Sequence, residues 1–331
     1  FRAGQAGLVR WPRRLMQTLA VMESPVETVL LVLDESGAKG YDNNKEQHQG
    51  EFGVMAGFAL PESKAEAFVS GLSEIVQSFA TDGKLHITDF EPAAQETLRQ
   101  RLFEYFSECR ALWFYEAVYV QGFHEAHGRV KQLVEEAMGA RRSAVKLSLN
   151  PTKESLHGEL FLGAFGSGLA LTMDYIGSPA HLKVLTDRVD VPVRKIFEAQ
   201  ADRLLNVGQP DRTEVTGFDT EQNDIVKGAI ETSVVSGHDA LGNFSGITYE
   251  IECDDNLLTL AADVLANSVY HHLKQIQDKT PGASLNSPEA IHGHPLQHLV
   301  YGAPSGAGSV NVADTIYNHP NSRKESGAND G

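Results

Sequence analysis

An unbroken apolar run near the start of the chain constrains the fold more than any other sequence feature. Residues 29–33 read VLLVL and are followed at once by Asp34, Glu35, Ser36 and Gly37. A strand that is apolar at consecutive positions is buried on both faces, so its sheet needs a covering layer on each side. The run therefore predicts a core strand that carries acidic side chains to the point where it leaves the core.

The rest of the chain continues this pattern, because short apolar strands alternate with amphipathic helices. Strands separated by helices favour a mixed α/β sheet that is flanked by helices. The predicted strands after the first are residues 51–60, 111–120, 181–186 and 247–252. One helix is predicted to be capped at Thr88 or Asp89, with Pro92 in its first turn, and to run to about residue 109. The other predicted helices are residues 61–79, 125–138, 156–175, 190–205 and 257–277. Residues 206–242 are polar and are predicted to be irregular.

The ends of the chain differ in composition from the middle and suggest one folded domain over residues 26–280. Residues 1–25 are basic and almost free of acids, and they lack the clean apolar segment of a secretory signal. We interpret them as a flexible leader or as added upstream sequence. Residues 281–331 contain many Gly, Ser and His, and they are predicted to be a flexible tail.

Charge and cysteine content narrow the classes of function. The net charge of −16 disfavours non-specific binding to polyanions, although it is compatible with a local or metal-bridged nucleic-acid site. The two cysteines, Cys109 and Cys253, argue against a disulfide framework and suit a reducing cytoplasm. No apolar stretch is long enough to span a bilayer, so no membrane partner is expected.

Carboxylates occur at the ends of two predicted strands and within one late helix. Asp34 and Asp187 each follow a short apolar strand, and parallel neighbouring strands would bring both to one edge of the sheet. Asp263 lies among apolar residues in LLTLAADVLANSVYHHL, on a helical stripe with Asn267 and Tyr270. A buried carboxylate needs a cation, a hydrogen-bond donor or a metal, so a structural salt bridge is the alternative explanation for Asp263.

Three converging carboxylates without a thiolate predict a site for a hard metal ion. Oxygen ligands favour Mg²⁺ or Mn²⁺, and two such ions can activate water for phosphodiester hydrolysis. A fourth acid is needed, and the sequence leaves Glu35, Glu51 and Asp89 as candidates. His86, close to Asp89, is a candidate for orienting water or a phosphate, while a structural role is the commoner explanation for such a histidine.

Several other polar groups have simpler explanations than a functional one. His124 and His127 lack the spacing of a helical zinc motif. For three histidines near the end of the chain, the strongest functional interpretation is adventitious metal binding. For the densest basic patch, a solvated loop is as good an explanation as a contact with phosphate. These groups are His292, His294 and His298 in the tail, and Arg141, Arg142, Lys146 and Lys153 in the basic patch.

Four short motifs, taken in order, resemble the domain-of-unknown-function 3800 family, whose members have an RNase H-like fold. The motifs are DESG at residues 34–37, KLH at 84–86, TDR at 186–188 and LAAD at 260–263. The resemblance spans about residues 26–274. It implies an RNase H-like sheet, with Asp34, Asp187 and Asp263 as metal ligands of a nuclease-like site, and a setting in mobile elements or phage defence.

These observations lead to one functional hypothesis and two alternatives. We predict a metal-dependent nuclease-like hydrolase of DNA or RNA, with Asp34, Asp187 and Asp263 as metal ligands helped by Glu35 or Asp89. One alternative is a catalytically inert RNase H-like subunit that presents an acidic surface to a protein partner. The other is a phosphohydrolase that acts on nucleotides, which would not need a long basic groove.

Overall fold

A computed structural model describes most of the chain between residues 26 and 322. The described residues are 26–38, 45–79, 86–139, 145–147, 153–206, 211–232, 244, 246–302 and 312–322. The predicted leader, residues 84 and 85 of the KLH motif, and the Arg141–Arg142 pair lie outside them.

The structure is α/β, as predicted, and contains a mixed five-stranded sheet with helices on both faces. The strands are β1 (Glu27–Gly37), β2 (Phe52–Pro61), β3 (Trp113–Tyr119), β4 (Val145–Leu147), β5 (Ala180–Thr186), β6 (Asp211–Asp219), β7 (Asp224–Thr232) and β8 (Ile247–Cys253). The helices are α1 (Ala65–Val76), α2 (Pro92–Cys109), α3 (Val120–Gly139), α4 (Lys153–Tyr175), α5 (Val191–Leu205), α6 (Leu257–Lys279) and α7 (Val312–Ile316). A short 3-10 turn spans Ile87–Asp89.

The main sheet has the strand order β3-β2-β1-β5-β8, with β1 near its centre. β2 is antiparallel to both β1 and β3, whereas β1, β5 and β8 run parallel. The parallel pairing of β1 with β5 ends at Leu33 opposite Thr186, so Asp34 and Asp187 directly follow the last parallel pair. The first strand was predicted to stop at Leu33, but β1 continues to Gly37 because its last residues still pair with β2.

β1 is buried on both faces because each face packs on a separate core. Leu30 and Val32 belong to the core under α1, α2 and α6, while Val29, Leu31 and Leu33 belong to the core under α3, α4 and α5. The alternation follows from the period of two residues in a strand. The same alternation determines to which side of the sheet each residue after Leu33 points.

The segment predicted to be irregular instead forms a β-hairpin. β6 and β7 pair antiparallel from Asp211↔Thr232 to Asp219↔Asp224, and β4 adds a third strand to this second sheet. The Asp219 carboxylate accepts hydrogen bonds from the Glu221 and Gln222 backbone N–H groups in the turn. Our prediction missed the hairpin because polar residues line most of it, and hydrophobic periodicity detects only strands with an apolar face.

Residues 281–302, which were predicted to belong to a flexible tail, instead pack against β3. The Asn286 side-chain amide bonds both the N–H and the C=O of Ala117, and the Tyr301 N–H bonds the Trp113 carbonyl. Leu285 and Leu296 are fully buried in the core. The segment therefore covers the outer edge of the sheet, which would otherwise present unpaired backbone groups.

Candidate metal centre

The end of β1 separates its two carboxylates. The strand continues through Asp34 and Glu35 to Gly37, so these side chains point to opposite faces of the sheet. Asp34 faces the α6 side, with Leu30 and Val32, and its Oδ1 accepts the Glu35 backbone N–H at 2.7 Å. Only one of the two adjacent acids can therefore join a cluster on the α6 side.

Asp187 directly follows β5 and continues the alternation of that strand. Leu185 lies in the core on the α6 side, so Asp187, two residues later, leaves the sheet toward the same side as Asp34. Its Oδ1 accepts the Arg188 backbone N–H at 2.5 Å. Asp34, within β1, and Asp187, just after β5, therefore lie on the same side of the sheet where the parallel pairing of the two strands ends.

Asp263 reaches the same edge from α6, whose start is determined locally. The Asn256 side chain accepts hydrogen bonds from the Leu258 and Thr259 backbone N–H groups, which caps the helix. About two turns beyond this cap, the Asp263 Oδ2 accepts the Ile87 backbone N–H at 2.7 Å. This bond joins α6 to the turn that carries His86, across 176 positions of sequence.

His86 lies between two of the three aspartates. Its Nε2 is 3.5 Å from the Asp187 Oδ2, and its Nδ1 is 3.6 Å from the Asp263 Oδ2. These are ion-pair distances rather than hydrogen-bond distances. The imidazole is also 32% exposed, so it contacts the carboxylates from the solvent side of the cluster without a tight geometry.

Burial and mutual repulsion govern the electrostatics of this carboxylate cluster, which we define as Asp34, Asp187 and Asp263. Burial, followed by the charge of Asp263, raises the pKa of Asp34 well above its ordinary value. Burial also raises the pKa of Asp263, and the Ile87 N–H and His86 oppose that increase. The structure records no ion pair for Asp34 among the described residues. Negative charge in the cluster is therefore only partly compensated.

The donor chemistry of the carboxylate cluster fits a hard divalent cation. Carboxylate oxygens are the ligands that Mg²⁺ and Mn²⁺ prefer, and a cation would offset both the burial and the repulsion that raise the pKa of Asp34. In the part of the chain that the structure describes, however, no three His, Cys, Asp or Glu side chains are already arranged around a common metal position. The three carboxylates lie on one side of the sheet but do not form a closed coordination sphere among the described residues.

None of the three candidates for a fourth acid joins the cluster through its side chain. Glu35 pairs with the buried His157 of α4 on the opposite face of the sheet, which differs from its predicted catalytic role. Asp89 is exposed, and its Oδ2 accepts the His86 backbone N–H at 3.1 Å. Glu51 is buried and accepts the Gln47 backbone N–H at 2.5 Å. Asp89 therefore shapes the turn that carries His86.

Of the five histidines without a predicted catalytic role, three occupy structural positions, whereas His292 and His298 are exposed. His294 is buried, and it contacts the Ser268 hydroxyl through Nε2 and the Leu296 N–H through Nδ1. His124 is buried beside Phe123, and His127 contacts the Phe123 carbonyl. The side chains of Lys146 and Lys153 lie outside the described part of the structure.

Two contacts in this region have no signal in the local sequence. One is the Glu35–His157 pair, and the other is a hydrogen bond from Arg99 on α2 to Asn267 on α6 at 2.7 Å. The stripe of Asp263, Asn267 and Tyr270 on α6 did point toward this region. No local pattern identifies the partners, because both contacts join residues more than a hundred positions apart.

Comparison of the chain with protein-family models, with curated proteins and with solved structures found no match. The resemblance carried by the four short motifs therefore stays a prediction. Within the described helices, none combines the length and apolar character needed to cross a bilayer.

Proposed function

We propose that this chain is a metal-dependent, nuclease-like hydrolase of phosphodiester bonds with an RNase H-like fold. The observation that carries the proposal is the meeting of Asp34, Asp187 and Asp263 on one side of the sheet, beside His86. Asp34 and Asp187 directly follow the last parallel pair of β1 and β5, and Asp263 comes from a helix packed on the same face. Ligands of α/β sheets bind at such carboxyl ends.

The strand order supports the fold assignment within this proposal. In an RNase H-like sheet, three consecutive antiparallel strands are extended on the side of the first strand by two parallel strands. The order β3-β2-β1-β5-β8, with only β2 reversed, has this form. The mobile-element or phage-defence setting implied by the motifs is part of the same hypothesis.

In this proposal Asp34, Asp187 and Asp263 hold Mg²⁺ or Mn²⁺, which when bound lowers the pKa of water and stabilises the leaving oxygen. The backbone N–H groups of Ile87 and Arg188 orient two of the carboxylates. His86 partly balances their charge from the solvent side. Asp89 supports the turn that carries His86 and is not among the ligands that we propose.

The proposal is tested by incubating the protein with Mg²⁺ or Mn²⁺ and labelled single- and double-stranded DNA and RNA. We expect metal-dependent cleavage that falls at least about 100-fold in Asp34→Asn and in Asp263→Asn, the scale of losing one transition-state stabilising group. Asp89→Asn is the matched control and should retain cleavage. Absence of cleavage by the wild type, or equal cleavage by folded Asp34→Asn, would contradict the proposal.

A catalytically inert interaction subunit is the second candidate. It is favoured by the net charge of −16 and by the lack of a closed coordination group among the described residues. Metal binding to the native state raises its stability, so melting with Mn²⁺ or with EDTA separates the two candidates. If the metal site is active, Mn²⁺ should raise the Tm of the wild type and leave the Tm of Asp34→Asn unchanged.

The alternative of a phosphohydrolase that acts on nucleotides is tested in the cleavage assay by competition with mononucleotides.

A further inference from the structure

A groove of about 1000 Å³ runs between α2 and α6, and its lining begins on α6 at Ser268, five residues after Asp263. Arg99, His271 and His272 line it, and His294 lies at its base. The groove is connected to the cluster through Asn267, which bonds Arg99 and lies one helical turn from Asp263. Four residues of helix correspond to about 6 Å along the axis of α6.

Arg99 is held in this groove mainly by neutral groups. Its Nη2 donates to the Asn267 Oδ1 at 2.7 Å and to the Gln95 Oε1 at 3.2 Å. Its one recorded ion pair among the described residues is to Glu96, at 3.4 Å, and the Glu96 side chain is 77% exposed. The Arg99 Nε is buried and has no hydrogen-bond partner in the described part of the structure.

This arrangement is unusual for a cation that is only 17% exposed. Buried charges normally have a close counter-charge, because an unpaired one is costly. The recorded counter-charge of Arg99 among the described residues is Glu96, at 3.4 Å, and water competes for that largely exposed carboxylate. Two amide side chains fix the other end of the guanidinium, and the unpartnered Nε leaves it able to bind an anion in the groove.

The neighbouring groups limit where an anion can bind. Burial, followed by the charge of Arg99, lowers the pKa of His271, so this imidazole is neutral at neutral pH. The exposed residues Glu96, Glu104 and Glu108 also line the groove and repel anions. Arg99 is therefore a single anion position in a groove that has no basic stripe.

We propose that Arg99 binds a phosphate of a nucleic-acid strand that runs from the carboxylate cluster along α6. The inference rests on the proposed nuclease function, because the strand's reacting phosphate lies at Asp34, Asp187 and Asp263. Arg99 then contacts a neighbouring phosphate, and its two amide partners preset the geometry of the guanidinium. The proposal names the substrate as a polynucleotide rather than a mononucleotide, since it needs two phosphates in different places.

The test is the binding of a labelled 12-nucleotide single-stranded DNA or RNA, measured by fluorescence anisotropy in EDTA at several salt concentrations. We expect Arg99→Gln to bind about 10-fold more weakly, and its slope of log K against log salt to fall in magnitude by about 0.7, the share of one phosphate contact. Arg101→Gln is the control, because Arg101 is exposed on the same helix and contacts the Ser78 hydroxyl. It should change affinity less than about 2-fold.

A second measurement uses only the wild type, so its result does not depend on whether Arg99→Gln folds. The oligonucleotide should protect Arg99, and not Arg101, from phenylglyoxal modification as read by mass spectrometry. Unprotected Arg99, wild-type affinity in folded Arg99→Gln, or no oligonucleotide binding at low salt would each overturn the inference.

The outcomes also separate this inference from the proposed function. Cleavage by the wild type, with unchanged binding in Arg99→Gln, would leave the nuclease proposal standing and remove the phosphate site. Weaker binding in Arg99→Gln without any cleavage would keep the phosphate site and contradict the nuclease proposal.

Discussion

At the scale of single residues, the neighbours Asp34 and Glu35 show how alternation along a strand gives adjacent acids different roles. Asp34 meets other carboxylates on the α6 side, whereas Glu35 meets the imidazole of His157 on the α4 side. The interaction of Asp34 with the other carboxylates is repulsive, whereas the interaction of Glu35 with His157 is attractive. Removing the charge at these two positions should therefore change stability in opposite directions.

We predict that Asp34→Asn stabilises the metal-free protein and that Glu35→Gln destabilises it. The raised pKa of Asp34 means that its charge opposes folding at neutral pH, on the order of 1 kcal/mol for each pKa unit. Glu35→Gln leaves His157 without its charged partner and should cost about 1–3 kcal/mol. Urea unfolding in EDTA at pH 7 measures both, and the same sign of change in both variants would contradict the prediction.

His294 supplies a prediction for the pH dependence of stability. Burial, with a smaller effect of His272, lowers the pKa of His294 from 6.5 to about 3. The unfolded chain therefore takes up a proton below pH 6.5 that the folded protein excludes, and stability falls as the pH drops from 6.5 toward 3. This residue should contribute about 1.4 kcal/mol per pH unit to that loss.

Urea unfolding at pH 7, 6 and 5 tests the His294 prediction. His294→Gln should lose stability less steeply with falling pH than the wild type, although it is less stable at pH 7. His292→Gln is the control, since His292 is exposed, and it should keep the wild-type slope. Equal slopes in all three proteins would show that His294 is protonated similarly in the folded and unfolded states.

At the scale of secondary-structure elements, the end of β1 is held against α6 by Gly37. Its φ is +86°, and a Cβ atom at this position would lie 2.5 Å from the Tyr270 ring and 2.8 Å from the Phe52 carbonyl oxygen. Only glycine meets both conditions without strain. The same contact between β1 and α6 keeps Asp34 close to Asp263, so the glycine of DESG positions the site without taking part in its chemistry.

Gly37→Ala should therefore destabilise the protein by at least about 2 kcal/mol, from left-handed backbone strain together with the clash. Gly128→Ala provides the matched control within α3, where a Cβ meets no atom within 4 Å. That substitution should stabilise the protein by up to about 1 kcal/mol, because alanine is the better helix former. Thermal melting compares the two, and a neutral Gly37→Ala would contradict this account of the turn.

At the scale of the whole molecule, the C-terminal segment completes the domain. Leu285, Ile291, Leu296 and Leu299 are buried in the core on the α6 side, and Asn286 pairs with the outer edge of β3. Further along, Asp314 accepts hydrogen bonds from the Ser284 hydroxyl and the Leu285 and Asn286 N–H groups, which links residues 312–322 to this segment. The domain accordingly extends well past residue 280.

Removal of residues 281–331 should prevent folding. Four large apolar side chains at about 1.5–3 kcal/mol each amount to roughly 6–12 kcal/mol, which is comparable to the whole stability of a typical domain. A chain shortened only by residues 323–331 keeps all of these contacts and is the control. Circular dichroism and gel filtration measure the result, and a folded monomer lacking residues 281–331 would contradict the prediction.

How much could be predicted from the sequence differs between the sheet and its edges. The apolar run at residues 29–33 and the helical periodicity of α6 predicted buried elements correctly, since both signals come from local alternation of apolar and polar residues. The hairpin at residues 211–232 and the packed segment at 281–302 were missed. Their residues are polar or turn-forming, and what holds them is cross-strand pairing or contact with β3.

The sequence by itself determined that the chain forms a sheet buried on both faces and that Asp34 and Asp187 directly follow short apolar runs. Only the tertiary structure decided which acids meet. It separated Glu35 from Asp34, used Asp89 to shape a turn, and brought His86 and Arg99 to α6. The physical reason is the sequence distance between the partners. Hydrophobic periodicity reports on a few neighbouring residues, whereas the Ile87–Asp263 and Arg99–Asn267 hydrogen bonds join residues 176 and 168 positions apart.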